Sequence, residues 1–330
     1  MTSPLAIEPL TSLLCCPSCG EHLEWPRAPA DATDSRQALD CSRCGASFAI
    51  VRGIPRMVST SNYAASFGFQ WNRFSRTQLD SHTGHPISRD RFYRQSGWSP
   101  TELAGTRVLD VGCGAGRFTE IALAAGASVV AIDYSSAVDA CRANHAGARN
   151  LLVLQGDVYH LPLAPASFDF VYCFGVLQHT PRVAEAFAAL VRQVKPGGRL
   201  AIDVYPWSPL NLVWPKYWLR PLTRRVAPTR LFALVETMVP ALLPLSRLLG
   251  RVPLIGQKLK HLIPVADYAD RLPLSKSQLR EWAILDTFDM FAPAHDAPQR
   301  VSTVREWFVE AGLHDVEVFR AGLVVGRAAR

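Results

Sequence analysis

The chain has 330 residues, 48% of them hydrophobic, and a formal net charge of +7. That much apolar material supports one large domain with appendages and excludes a disordered chain. The charge invites a nucleic-acid reading, yet it is concentrated: between Pro206 and Pro264 nine Lys and Arg face a single acid, Glu236, a net of +8, and the remainder is near neutral.

At the N-terminus, "MTSPLAIEPLTSLLCCPSCG" has no basic n-region and no long apolar core before a small-residue cleavage site, so no secretory leader is expected. The expected compartment is the cytoplasm, where thiols stay reduced. Five of the eight cysteines lie in the first 44 residues. Cys16-Pro-Ser-Cys19-Gly and Cys41-Ser-Arg-Cys44-Gly are two C-x-x-C-G turns separated by 21 residues, a spacing with which paired turns gather four thiolates around tetrahedral zinc. A closed four-sulfur site has no open position, so this Zn²⁺ is expected to be structural, with Cys16, Cys19, Cys41 and Cys44 as ligands and Cys15 as a bystander. Residues 1–58 are thus expected to form a zinc-ribbon module. With five Arg against six acids before Ser59, it is not expected to grip phosphates. Residues 59–105 are too aromatic for a linker: Tyr63, Phe67, Phe69, Trp71 and Phe74 either pack along one helix face or fold as a lid.

"RVLDVGCGAGRFTE" (107–120) reads as a short buried strand, a glycine turn and the start of a helix. The glycines at 112, 114 and 116 follow a G-x-G-x-G frame; the dinucleotide frame would need glycine at 117, which is Arg117. A carboxylate in front of the loop, Asp110, repels a pyrophosphate and attracts an ammonium group. S-adenosyl-L-methionine carries an ammonium and a sulfonium and no phosphate. A second strand, "SVVAIDYS", ends in Asp133, placed to accept from ribose hydroxyls. After a third strand, Asp157 can accept from the adenine amino group while Val158 packs on the ring. "FDFVYCFGVLQH" is then nearly all apolar, as a central parallel strand should be.

In that order, Asp110-Val-Gly112-Cys113-Gly114-Ala-Gly116, Asp133, Gly156-Asp157, Phe168-Asp169 and "LVRQVKPGGRLAIDVY" resemble a class I S-adenosylmethionine-dependent methyltransferase, in particular the ubiquinone and menaquinone biosynthesis group. The two knuckles with "FAIVRGIPRMV" resemble the zinc-ribbon activator subunit of tRNA and protein methyltransferases, which bacteria also fuse to methyltransferase domains. The resemblance implies an α/β, Rossmann-like seven-stranded methyltransferase sheet over 106–330, closed by an antiparallel hairpin near Val316–Arg320 and Leu323–Gly326. It implies a helical insertion after the fifth strand, over 206–265. It also implies a cofactor shell of Asp110, Gly112, Cys113, Gly114, Gly116, Asp133, Tyr134, Asp157, Val158 and Phe174.

Methyl transfer from a sulfonium needs an aligned acceptor, exclusion of water and, for a hydroxyl acceptor, a base. His179, just past the fourth strand, is the first candidate base. Tyr205, Asp203, His295 and Asp289 follow, the last two in "TFDMFAPAHD", read as a loop returning to the site; His160 and His22 read as surface histidines. The insertion, with "RLFALVETMVPALLPLSRLLG" the most apolar of its helical pieces, reads as a cap over a hydrophobic acceptor, a peripheral seat on anionic lipid at the inner membrane face, or a homodimer contact. Its prolines, Glu236 and Arg247 keep every window short of a membrane span. The leading expectation is methyl transfer to a small-molecule, lipid-linked, glycan or secondary-metabolite acceptor. An RNA methyltransferase is the alternative, disfavoured by the near-neutral ribbon and by "FGVL" where an "NPPY"-type tetrapeptide would stand; a cofactor-binding scaffold is a third.

Overall fold

The computed structural model describes residues 10–26, 37–59, 62–269 and 271–330. Within the expected 1–58 module, residues 1–9 and 27–36 lie outside the described residues. Strands β1 (Ala38–Asp40), β2 (Ser47–Val51) and β3 (Ile54–Pro55) make a small antiparallel sheet. Helices α1 (Ala65–Arg73), α2 (Asp80–Thr83), α3 (Ile87–Ser96) and α4 (Pro100–Leu103) lead into an alternating run. That run is β4 (Arg107–Val111), α5 (Thr119–Ala124), β5 (Ser128–Asp133), α6 (Val138–Asn144), β6 (Leu151–Gln155), β7 (Phe168–Phe174), α7 (Val183–Gln193) and β8 (Val194–Val204). Then come α8 (Pro215–Thr223), α9 (Pro228–Gly250), α10 (Gly256–Leu259) and α11 (Lys276–Phe291). Helix α12 (Val301–Glu310) and the hairpin β9 (His314–Ala321) and β10 (Leu323–Ala329) close the chain.

The large sheet has seven strands in the order β6-β5-β4-β7-β8-β10-β9. Its first five are parallel, and β10 runs antiparallel to both β8 and β9. Successive side chains of a strand face opposite ways. Leu109, Val111, Val130, Ile132, Val171 and Ile202 therefore enter one core with α7 and α12. Val108, Val129, Phe170, Tyr172 and Phe174 enter another with Phe92, Trp98, Leu103 and Phe118. Helices α3 and α4 thus belong to the fold itself; Tyr63 to Trp71 lies over the cavity described below, and Gln78, Ile87, Arg91 and Arg94 also reach its lining. The chain reverses direction across the sheet between β4 and β7, so their carboxyl ends open a crevice at the switch point.

The ribbon is not a tethered appendage. Leu14 bridges Leu163, the Cys15 N–H donates to the Pro162 carbonyl at 3.0 Å, and the Met57 N–H donates to the Gln155 carbonyl at 2.8 Å. Leu10, Leu13, Leu14, Leu23, Leu39 and Met57 share one core with the sheet. The Arg56 guanidinium bonds Asp139 at 2.6 Å and Gln155 at 3.1 Å. The ribbon thereby covers the β6 edge, whose open backbone groups would otherwise invite pairing with another chain.

Three expectations about the insertion are corrected. Pro206 pairs with Gln299, and the Gln299 N–H donates to the Tyr205 carbonyl at 2.8 Å, so the segment leaves and rejoins the sheet at that neck and ends near 299, not 265. "DTFDMF" is helical: Ser275 and Gln278 form a reciprocal capping box that starts α11, and the chain runs helical to Phe291. The prolines at 240 and 244 do not divide α9, which continues through both for 23 residues. By length and composition α9 could cross a membrane, contrary to the expectation from its interruptions. One of its faces is spent on packing, with Leu231, Phe232, Val235, Val239 and Leu243 buried against Ile284, Leu285 and Phe288 of α11.

Candidate functional site

A cavity of about 550 Å³ opens at the carboxyl ends of β4, β5 and β7, and the insertion closes its far end. From the sheet it takes Gly112–Ala115, Asp133, Tyr134, Gly156, Val158 and Phe174; from the lid, Tyr63, Phe67, Gln70 and Trp71. The Asp133 carboxylate accepts from the Gly114 N–H at 3.0 Å, the Ser135 N–H at 2.8 Å and the Ser135 hydroxyl at 2.7 Å. Of roughly four acceptor directions on a carboxylate, these bonds occupy three. Burial pushes the Asp133 pKa up, and its three donors pull against that.

Gly112 has φ +81°, and a Cβ there would lie 2.2 Å from the Val176 side chain. The indole of Trp71 stands 3.3 Å from where a Gly114 Cβ would be. Bare backbone here lets Val176 and the lid close on the loop, and leaves a concave wall suited to a flat nucleoside with a charged tail. Gly116 faces away from the cavity: a Cβ would meet His145, whose ring donates to the Gly116 carbonyl at 3.0 Å.

Asp110 does not line the cavity. It sits on the sheet face covered by α5, 2% exposed, and accepts from the Thr119 hydroxyl at 2.6 Å. Burial pushes its pKa up to about 7, opposed by that bond. The expected attraction of a ligand ammonium by Asp110 is replaced by a structural role, pinning the first turn of α5. Asp157 is also outside the lining; its carboxylate accepts from the Tyr159 N–H at 3.0 Å and starts a short 3-10 turn. Its neighbours Gly156 and Val158 do line the cavity. Cys113 lines the cavity too.

At the far end, His179 is 5% exposed on a 3-10 turn after β7, between the rings of Phe67 at 5.0 Å and Tyr205 at 5.4 Å. Its Nδ1 lies 3.0 Å from the His295 carbonyl oxygen. A carbonyl only accepts, so Nδ1 carries the proton and a neutral ring keeps its lone pair on Nε2. His295 serves through that backbone carbonyl, its ring set against Tyr63 at 5.2 Å, and burial lowers its pKa. The Tyr205 hydroxyl donates to Asp289 at 3.1 Å, and burial raises its pKa. Asp203 lies behind the wall, accepting from the Gly175 N–H and from Arg91 at 2.7 Å. His22 and His160 are exposed.

Several lining groups escaped sequence reasoning. Trp282, Asp286 and Met290, with the expected candidate Asp289, form one face of α11, at i, i+4, i+8 and i+7, a period visible in the sequence once the segment is read as helix. Lys216 comes from α8, 3.5 Å from Asp296 and 5.3 Å over the Tyr205 ring, and burial lowers its pKa. Arg117 bonds Gln78 at 2.7 Å and Ser88 at 2.8 Å beneath Trp282, and burial brings its pKa to about 9. Gln70 lines the cavity at 1% exposure, with neither amide atom hydrogen-bonded to protein.

In the ribbon, the Sγ atoms of Cys16, Cys19, Cys41 and Cys44 all lie within 4.8 Å of one another, with Cys16–Cys44 at 3.6 Å and Cys19–Cys41 at 3.5 Å. Four sulfurs around a tetrahedral zinc at about 2.3 Å stand about 3.8 Å apart, so the cluster is compatible with that ion.

Two outcomes are expected. A carboxyl with its pKa raised from 3.8 to about 7 on folding makes the native state bind more protons across that window, so stability falls as pH rises through it and levels off above. Asp110→Asn, which keeps an acceptor for Thr119, should flatten that part of the curve of melting temperature against pH. Asp286, raised to about 7 by burial, and Asp133, also raised by burial, contribute further slope of the same sign; an unaltered slope in the variant would remove Asp110 as a source. Gln70→Leu should raise the melting temperature, because a buried unpartnered amide costs about 1–3 kcal/mol, and should weaken binding of S-adenosylhomocysteine in calorimetric titration. A variant no more stable, or binding equally well, would take Gln70 out of the ligand site.

Residues 109–202 match the family model described as "Methyltransferase domain". A ubiquinone biosynthesis O-methyltransferase of Methylococcus capsulatus is 35% identical over 131 residues, 38% of this chain and 55% of that protein. A demethylmenaquinone methyltransferase of Thermobifida fusca is 34% identical over 129 residues, 38% of this chain and 55% of that protein. A biotin biosynthesis bifunctional protein of Cellvibrio japonicus is 38% identical over 105 residues, 32% of this chain and 20% of that protein. The chain thus spans about half the length, or less, of these curated relatives. This match lies on the glycine loop and the strands around the cavity, so residues 109–202 carry a methyltransferase domain, similar in sequence to those of S-adenosylmethionine-dependent quinone methyltransferases.

Proposed function

We propose that the protein transfers a methyl group from S-adenosyl-L-methionine to a hydroxyl of a largely apolar small molecule or lipid-linked acceptor. The observation that carries the reading is one cavity with the glycine loop at one end and, at the other, His179, whose Nδ1 is engaged by the His295 carbonyl so that Nε2 is the ring nitrogen left for an acceptor. The residues present suit the cofactor: bare backbone at Gly112 and Gly114, the Asp133 carboxylate with one acceptor direction left, and the buried unpartnered amide of Gln70. When bound, the cofactor supplies an activated methyl group on a positively charged sulfur.

The chain's own part is then alignment, exclusion of water and proton removal. Tyr63, Phe67 and Trp71 cover the cavity, while Phe69 and Phe74 of the same segment pack on Phe232 of α9 and so tie the lid to the cap. As the acceptor oxygen bonds to the methyl carbon, its proton passes to His179 Nε2. With the electron pair of the sulfur–methyl bond carried off on a neutral thioether, the hydroxyl proton is the one charge this chain's residues have to manage. Lys216 supplies a cation at the acceptor end for the oxygen's developing charge. The names of the curated relatives, which include a ubiquinone and a demethylmenaquinone methyltransferase, favour a quinone-like or phenolic acceptor carrying an apolar tail.

The test is incubation with methyl-labelled cofactor and fractionated cell extract. Label should enter the organic phase; label in nucleic acid would replace this reading with RNA methylation. For an acceptor isolated in that way, His179→Ala should lower kcat by about 100-fold or more with little change in cofactor affinity. An equal loss in both would make His179 a binding residue instead.

We also infer that Cys16, Cys19, Cys41 and Cys44 hold a structural Zn²⁺, which the sulfur separations support. Cys16 and Cys41 belong to the core that the ribbon shares with the sheet. Cys16→Ser should therefore lose the zinc found by elemental analysis and lower the melting temperature of the whole protein in a single transition. A full-length protein that purifies without zinc yet melts at an unchanged temperature would refute the assignment.

A further inference from the structure

Among the described residues, thirteen of the fifteen exposed large apolar side chains lie between Trp207 and Leu262, all within the insertion. A surface scattered with single apolar side chains is ordinary, but this concentration is not. On α8, Trp218, Leu219 and Leu222 point outward at 66%, 41% and 67% exposure, while Lys216 and Arg220 of the same helix turn inward to Asp296. On α9, Leu234, Leu245 and Leu248 are exposed opposite the face buried against α11. Between α9 and α10, Val252, Leu254 and Ile255 form an apolar tip. Leu254 is fully exposed and held at φ +65°, a left-handed conformation uncommon for leucine.

Exposed cations are interspersed with these apolar residues along the same segment. Arg224, Arg225, Arg230, Arg251 and Lys258 are exposed. The single carboxylate side chain between Pro206 and Pro264, that of Glu236, stands 3.9 Å from Arg73. We propose that this face of the insertion is a docking surface for an anionic lipid bilayer, with the Val252–Ile255 tip and the outer side of α8 entering the headgroup region and α9 lying along it.

Charge selects this occupant. A second copy of the chain would bring two strongly cationic faces together, a like-charge juxtaposition that opposes self-association. Apolar side chains interleaved with Arg and Lys, with tryptophan at the boundary, match the zone between headgroups and acyl chains. Helix α9 lies on the surface in this arrangement and does not span it, since its packed face cannot leave the core. Helix α8 is then a wall with two sides, one toward the cavity and one toward the lipid. Its use in presenting a lipid-borne acceptor rests on the function proposed above; the docking does not.

The experiment is co-sedimentation of the full-length, zinc-replete protein with phosphatidylcholine vesicles, with and without phosphatidylglycerol. The protein should pellet with the anionic vesicles, less so as salt rises, and stay largely in solution with the neutral ones. The double variant Leu254→Glu, Ile255→Glu should reduce the bound fraction by at least about tenfold, and Arg224→Glu with Arg225→Glu should abolish the preference for anionic lipid. Both variants should bind S-adenosylhomocysteine as the wild type does, which separates a lost docking surface from a lost fold. Wild-type protein that ignores anionic vesicles overturns the proposal. So does a wild-type dimer in sedimentation velocity that the tip variant dissociates, because the face would then be a subunit contact. Because methyl transfer is not part of the readout, its absence would leave the vesicle result standing.

Discussion

A loop built from glycines has no side chains with which to hold its own shape, and in this protein two buried carboxylates from neighbouring strands hold it. Asp133, at the end of β5, receives the Gly114 N–H; Asp110, inside β4, receives the hydroxyl of Thr119, the first residue of α5. One clamp holds the middle of the loop and the other its exit into the helix. The cavity wall, the approach of Trp71 and the contact of Val176 on Gly112 all follow from a backbone held there without Cβ atoms. Such clamping has an electrostatic cost, visible in the raised pKa of both acids, and the donors aimed at them offset part of it.

The ends of the cavity are built on different principles. The sheet end is shared property of the fold: parallel strands, a switch point and a turn whose geometry is fixed by local backbone. The far end is assembled from distant parts of the chain, with His179 after β7, Tyr205 after β8, Lys216 from α8 and Asp286 and Asp289 from α11. Each of these polar groups is satisfied by a neighbour from another element. His179 leans on the His295 carbonyl, Tyr205 on Asp289, and Lys216 on Asp296. Chemistry at that end therefore depends on how the cap is seated as much as on any single side chain.

What could be read from the sequence divides along the same line. The apolar strand runs, the G-x-G-x-G frame and the cysteine knuckles are patterns confined to a few neighbouring residues, so the strand-turn-helix of the loop and the thiol cluster were legible, and the seven-stranded sheet followed from the resemblance those motifs carry. The roles within the loop were less so. Asp110 looks outward in a linear reading, but the strand's alternation turns it to the covered face, a distinction of one residue. The limits of the insertion and the helix at Lys276–Phe291 were missed because their signals are not local in the same sense. Pro206 meets Gln299 across the whole cap, and Trp282, Asp286, Asp289 and Met290 look unrelated until helical spacing lines them up. Sulfur atoms in the ribbon could be counted, but nothing in their spacing indicated that Leu14, Leu23 and Met57 would be core residues of the large sheet.

The paired neck at Tyr205, Pro206 and Gln299 means that nearly a hundred residues enter and leave the sheet side by side. Strand register on either side is set without reference to what lies between. The cap can consequently be lengthened, trimmed or exchanged as one cassette, changing what lines the far end of the cavity while the glycine-loop end stays as it is.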